Sequence, residues 1–254
     1  MIRFATCWTA IAVAAGIAAA TAAARDYDPA DEVDHSPFDA LLHTYVAPEG
    51  VRYEAWVESR EDRQALTEYV ATLAAAAPSK LTKDQRLAFW INAYNAVTVD
   101  HILASYPIDS IKDTGGLFSS PWKKKRITIE GRELSLDEIE NEIIRKEFTE
   151  PRIHVALNCA AKSCPPLRAG AYDGRSIDAQ LEEQTVAFLG DRSQNYLDEK
   201  GKLHLSKIFE WYRQDFETKG TLVDWVRPYF PELDGRTDVS VTFEGYDWAL
   251  NDAP

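Results

Sequence analysis

Thr82-Lys83-Asp84-Gln85-Arg86-Leu87-Ala88-Phe89-Trp90-Ile91-Asn92-Ala93-Tyr94-Asn95-Ala96-Val97-Thr98-Val99-Asp100-His101-Ile102-Leu103-Ala104-Ser105 is the stretch on which the fold turns. Its first four residues form a capping box, and Pro107 predicts a stop near Ser105. Leu87, Trp90, Ile91, Tyr94, Thr98 and Ile102 fall on one stripe. Phe89, Val97, Val99 and Leu103 widen that stripe until the helix is apolar nearly all round, so it is predicted to be buried at the centre of the domain. Asn92 and Asn95 lie three apart, on neighbouring faces. A buried amide needs hydrogen bonds, so each asparagine either ties the helix to a backbone or faces a site.

Outward from this helix, Ser36-Pro37 predicts a helix start with Ser at N-cap and Pro at N1, running to about Val46. Val51-Arg52-Tyr53 reads as a short strand, and a second helix runs from about Ser59 to Ala76. Ile127-Thr128-Ile129 and Arg132-Glu133-Leu134 flank Glu130-Gly131, a hairpin signal. Ser135-Leu136-Asp137-Glu138 is another capping box and opens a helix to about Lys146. Residues 152–159 read as a strand and 176–190 as a helix. A second hairpin is predicted between Tyr196 and Leu205, followed by short helices near 206–216 and 221–230 and a last strand, Val239 to Phe243. Irregular alternation with two hairpins predicts an α+β domain, its central buried helix packed on a mainly antiparallel sheet.

Residues 1–24 carry Arg3, then an uncharged alanine-rich run ending in Ala22-Ala23-Ala24, the pattern of a cleaved signal peptide. The expected product is an exported protein, periplasmic or secreted, without stable membrane insertion after cleavage. Residues 25–35 read as a mobile acidic lead-in and 36–252 as a single domain. The net charge of −13 argues against nucleic acid as a partner. Lys123-Lys124-Lys125-Arg126 is the basic run, read as a solvated approach to a strand. Past the signal only Cys159 and Cys164 remain, an even number in a compartment that permits disulfides.

Both cysteines lie in Arg152-Ile153-His154-Val155-Ala156-Leu157-Asn158-Cys159-Ala160-Ala161-Lys162-Ser163-Cys164-Pro165-Pro166-Leu167-Arg168. On a regular strand Ile153, Val155, Leu157 and Cys159 share one face, and His154, Ala156 and Asn158 the other. That parity sets His154 apart from Cys159 unless the chain bends at Asn158. One reading is a Cys159–Cys164 disulfide. The competing reading is a thiol active site, with Cys159 or Cys164 as nucleophile, His154 moving the proton, and Asn92, Asn95 or Glu140 orienting it. A metal set of His154, Cys159 and Cys164 matches no common zinc spacing, so neither metal nor cofactor is expected. Glu140, between Ile139 and Ile143-Ile144, sits on a rim or pairs with His154 or Arg152. Ile208 to Phe216 reads as a core helix with a polar face.

Phe89-Trp90-Ile91-Asn92-Ala93-Tyr94-Asn95-Ala96, Leu134 to Glu140, Arg152 to Cys159, Ser163 to Leu167, Leu205 to Tyr212 and Tyr246 to Asn251 together resemble the blocks of one family, domain of unknown function 547. Asn141 departs from it, standing where a histidine is expected. The resemblance spans roughly residues 36–252 and implies one domain in which Asn92, Asn95, Glu140, His154, Cys159 and Cys164 are motif positions. It implies no established reaction, and it carries a distant likeness to papain- or transglutaminase-like folds. The leading expectation is a hydrolase or acyl transferase acting on a peptide, amide or other acyl group through a His-centred pocket. The alternative is a non-catalytic cell-envelope module that binds a small molecule or peptide and is held by a structural disulfide.

Overall fold

The computed structural model describes residues 32–116 and 119–254, so the signal peptide expected over 1–24 and most of the acidic lead-in lie outside the described residues. In chain order the first elements are α1 (Ser36–Tyr45), β1 (Val46–Ala47), β2 (Gly50–Val51), α2 (Tyr53–Glu58), α3 (Arg60–Ala75) and α4 (Lys83–Ser105). Next come β3 (Ile127–Ile129), β4 (Arg132–Leu134), α5 (Leu136–Glu138), a wider π-helical stretch Ile139–Ile144, α6 (Arg145–Glu147) and α7 (Ile153–Ala156). The chain ends with α8 (Ile177–Gly190), β5 (Tyr196–Leu197), β6 (Leu203–Leu205), α9 (Ile208–Trp211), α10 (Arg213–Phe216), α11 (Leu222–Val226) and β7 (Val241–Phe243).

α4 starts at the expected box: Thr82 accepts from the Gln85 N–H, and the Gln85 side chain accepts from the Thr82 N–H at 3.1 Å. Every residue from Leu87 to Val99 is buried, as an all-round apolar pattern demands. The layers around it are α2, α3, α8 and the 139–144 stretch. The domain is α+β, but its strands form three small sheets rather than one layer beneath α4. β1–β2 and β3–β4 are antiparallel hairpins, and β5–β6 is antiparallel while β6–β7 is parallel. Glu130 and Gly131 both take positive φ, 47° and 74°, as a two-residue hairpin turn of matching twist requires.

The strand expected at 152–159 is a correction: Ile153–Ala156 form a helical turn. Glu150 nucleates it, accepting the Arg152 N–H at 3.1 Å through its carboxylate and the Ile153 N–H at 3.2 Å through its carbonyl. All four residues of the turn are buried, and a short apolar run buried on every side has no period that separates strand from helix. The turn also joins two packing clusters. Ile153 and Ala156 belong to the cluster built around α4, whereas Val155 belongs to the second cluster, with Phe188, Phe209, Phe216 and Phe230.

The C-terminal segment crosses back over the first cluster. The Val51 N–H donates to Asn251 O at 2.8 Å, and a Cβ on Gly50 would meet that same oxygen at 2.1 Å, so only glycine fits there. Farther along, the Lys162 N–H donates to Ala249 O at 2.8 Å and the Asn251 N–H to Ala160 O at 3.0 Å. These bonds pin the cysteine loop beneath Tyr246 and Trp248. Among the described residues no helix is long and apolar enough to cross a membrane.

Candidate functional site

Where the two clusters meet, a cavity of about 300 Å³ opens. Tyr94, Trp122, Trp211, Tyr212, Tyr246 and Trp248 form its aromatic wall, and Asp137, Glu140, His154, Cys159 and Cys164 supply its chemistry. With residues 153–156 helical, His154 and Cys159 line one cavity instead of opposite faces of a strand. A larger cavity of about 490 Å³ lies among Val33, His35, Asp39, Tyr172 and Arg175, but it contains no thiol.

Cys159 stands on a backbone elbow. Ala160, directly after it, is held at φ 61°, a left-handed conformation that costs a non-glycine residue about 1–2 kcal/mol. Several bonds impose it. The Ala160 N–H donates to Asn158 Oδ1 at 2.9 Å, and Asn158 Nδ2 donates to Pro165 O at 2.8 Å. The Asn158 N–H donates to Asn95 Oδ1 at 2.9 Å, while Asn95 Nδ2 donates to Ala156 O at 3.0 Å. Asn95 therefore holds the elbow from behind, with both ends of its amide engaged. Asn92 clamps another loop in the same way, donating to Tyr172 O at 2.8 Å and accepting the Tyr172 N–H at 2.9 Å. Neither asparagine lines the cavity.

Cys159 and Cys164 are free, so the expected staple is not formed. The Cys164 sulfur is instead turned toward backbone: it accepts the Cys159 N–H at 3.0 Å and donates to Leu157 O at 3.7 Å. Its neighbourhood separates the two thiols. Contact with the Cys164 sulfur, the Tyr246 hydroxyl at 3.2 Å and the Ala161 amide pull the Cys159 pKa down against burial. Burial, then the neighbouring Cys159, push the Cys164 thiol well up. Cys159 is also the more exposed of the pair.

Behind the thiols runs a polar chain. The His154 ring is fully enclosed, stacked on Tyr212 at a centroid distance of 3.7 Å, with Nε2 2.7 Å from Asp215 Oδ2. Burial, the largest influence, lowers the His154 pKa despite Asp215, so the ring is neutral with its proton on Nε2 toward that carboxylate. Asp215 is driven far below the usual carboxylate range by the His154 bond and by Arg145, whose Nε and Nη2 reach it at 2.7 and 3.0 Å. His154 Nδ1 has no hydrogen-bond partner and lies 3.8 Å from Glu140 Oε1. Glu140 is not a rim residue: its side chain is 11% exposed and sits on the π-helical stretch, facing the cavity beside the Tyr212 hydroxyl.

Sequence reasoning missed Asp215, which sits in the stretch read as the polar face of a core helix. Its one signal was a lone carboxylate between Tyr212 and Phe216. Asn141, in place of the expected histidine, donates to Asp137 Oδ1 at 3.3 Å and accepts from Arg145 at 2.8 Å, so it helps aim Arg145 at Asp215. The remaining histidines do not line this cavity: His35 bonds Tyr69, His101 bonds Arg126, His204 bonds Glu244, and His43 lies beside Asp39. The basic run pairs internally, since Lys125 meets Glu138 and Arg126 meets His101. Among the described residues no group of three or more His, Cys, Asp or Glu stands ready to hold a metal ion.

Residues 78–189 match the model of a family described as "Protein of unknown function, DUF547". No curated protein and no solved structure matches the chain.

Proposed function

We propose that the cavity of this chain, whose residues 78–189 match the DUF547 family model, is the active site of an exported thiol hydrolase or acyl transferase. The substrate class is a peptide, amide or other acyl group. One observation carries this reading: Cys159, its pKa lowered, is half-buried in an aromatic cavity on an elbow strained at Ala160. Strain of this kind persists where the surroundings over-determine it, and such places cluster at working sites. Export rests on Arg3 and the uncharged run that follows it.

The reaction divides into two displacements. Glu140 takes the Cys159 proton, the sulfur attacks the acyl carbon, and the C–S bond forms as the carbonyl oxygen takes up the electron pair. The Tyr246 hydroxyl, 3.2 Å from the sulfur, is within reach of that oxyanion. Collapse breaks the bond to the leaving group, which receives the proton from Glu140. Water or a second nucleophile then attacks the thioester, giving its proton to Glu140 and releasing Cys159. The His154 ring is enclosed, so in this scheme it acts as a positioning residue, its free Nδ1 able to accept the Glu140 proton while Asp215 and Arg145 fix the ring. The alternative, a binding module held by a Cys159–Cys164 staple, draws no support from two free thiols.

Reaction with p-nitrophenyl acetate followed by intact mass tests the scheme. The expected result is one acetyl group, mapped to Cys159 and lost in Cys159→Ala. Acetylation of lysines alone, at equal rate in wild type and variant, would sink it.

A further inference from the structure

We propose that the ligand this cavity recognises is a primary alkylammonium group, of the kind carried by a lysine side chain or a free diamine. The inference rests on the preceding reading only in taking this cavity as the substrate site; it does not require the thiol chemistry. Three observations converge. The wall is a close cluster of aromatic rings set at an angle to one another: Tyr246 and Trp248 centroids are 4.5 Å apart, Trp211 and Tyr246 4.8 Å, and Trp122 and Trp248 5.4 Å. Aromatic faces carry negative potential and attract cations, more strongly as water is excluded. Secondly, the lining holds two carboxylates, Asp137 and Glu140, and no Lys or Arg.

The third observation is a buried carboxylate, Glu140, to which no Lys or Arg is directly bonded among the described residues. Its neighbours are the Tyr212 hydroxyl and the neutral His154 ring. The charge of Arg145 is felt at Glu140, but its guanidinium is bonded to Asp215 and Asn141. A buried carboxylate is costly until a cation joins it. An ammonium entering past Trp211 would meet aromatic faces first and Glu140 at the end. One face of the wall already holds such a group, since Lys112 Nζ lies 3.7 Å from the Trp248 ring centroid, outside the lining. On the proposed reaction the amine is then the second nucleophile: it loses a proton to Glu140 and attacks the Cys159 thioester. The new C–N bond forms as the C–S bond breaks, and the second proton on the nitrogen passes to the departing Cys159 thiolate, which makes the protein a transferase before a hydrolase.

Titration of the Cys159→Ala protein, followed by tryptophan fluorescence and calorimetry, tests recognition apart from chemistry. The probes are 1,5-diaminopentane and Nα-acetyl-lysine methylamide as cations, Nα-acetyl-norleucine methylamide as the neutral isostere, and hexanoate as the anion. The expected result is saturable binding of at least one cation, about tenfold or more tighter than the isostere. Glu140→Gln should abolish that preference. Should that variant fail to fold, Trp211→Ala, at a residue 45% exposed, carries the test and should weaken cation binding several-fold. Equal or tighter binding of the isostere or of hexanoate, or no cation binding, overturns the proposal. Acyl transfer with no amine preference would leave the thiol reading standing alone, and amine binding without acylation would do the reverse. The two cation probes separate a free amine from a peptide lysine.

Discussion

Along α4 the amides of Asn92 and Asn95 have both their oxygen and their nitrogen engaged, whereas across the cavity His154 Nδ1 has no partner and Ala160 is held at φ 61°. Both regions are buried, and both carry polar groups that an apolar interior penalises. The two α4 amides answer that penalty in full, as buried amides do in a scaffold. The opposite side leaves an orphan nitrogen, a carboxylate with no Lys or Arg bonded to it and a strained residue in place, tolerated because the α4 side holds them. Orphan polar atoms also occur away from the cavity, at Tyr172, Arg126, Arg168 and Asp252, so what sets the cavity side apart is an orphan beside a thiol and a carboxylate in one cavity.

Substitutions on the two sides should therefore separate stability from activity. Cys159→Ala is expected to remove acylation entirely while changing unfolding stability by about 1 kcal/mol or less, measured by urea titration beside the mass assay. Loss of folding in that variant would break the comparison. Asn95→Ala should act in the opposite sense. It strands the Ala156 carbonyl and the Asn158 N–H, at roughly 1–3 kcal/mol for each buried group, so about 2–6 kcal/mol is expected in the same titration. Glu140→Gln keeps the shape and an oxygen for the Tyr212 hydroxyl, so a change within about 1 kcal/mol is expected.

Acid should weaken both sides, in two steps. His35 and His101 are each lowered to about 4 by burial, and His154 is lowered as well. The unfolded chain takes up protons below about pH 6.5 that the folded one refuses, so stability falls as pH drops from there toward about 4. Asp215 has the depressed carboxylate case: its contribution is whole above an unfolded value of about 3.9 and is lost as pH falls below it. Urea midpoints from pH 7.5 to 3 should follow this course, and Asp215→Asn should flatten the most acidic part while steepening the part above pH 4, because it removes the carboxylate that holds the His154 pKa up. A flat profile above pH 4 would contradict the buried neutral histidines.

The smallest effect concerns the strain itself. Ala160→Gly relieves the left-handed conformation but loses a buried methyl and gains unfolded-state freedom, so a net change within about 1 kcal/mol is expected. Ala93→Gly, in the middle of α4, has no strain to relieve and should cost more, about 1–2 kcal/mol.

What could be read from the chain divides along the same line. α4, its capping box and the β3–β4 turn depend on neighbours within four residues, and they formed where expected. The roles open to Asn92 and Asn95 were also foreseen, since an amide in an all-apolar helix must bond something. The site was harder. Residues 152–159 alternate like a strand, but Glu150 and burial on every side make a helical turn, which reversed the separation of His154 from Cys159. Glu140 looked like an ordinary helix glutamate because nothing local announces the cavity it faces. Asp215 reaches His154 across 61 positions and Arg145 across 70, a distance over which no spacing rule operates.

The central claim is that the environment sets Cys159 apart as the reactive thiol. Iodoacetamide alkylation of the native protein from pH 6 to 10, with the modified residue mapped at each pH, tests it most directly. Cys159 should react first, with a midpoint below the ordinary thiol value of about 8.5, while Cys164 stays protected until unfolding. A Cys164 that reacts as fast as Cys159, or a native protein that takes up no reagent until it is reduced, would contradict the account.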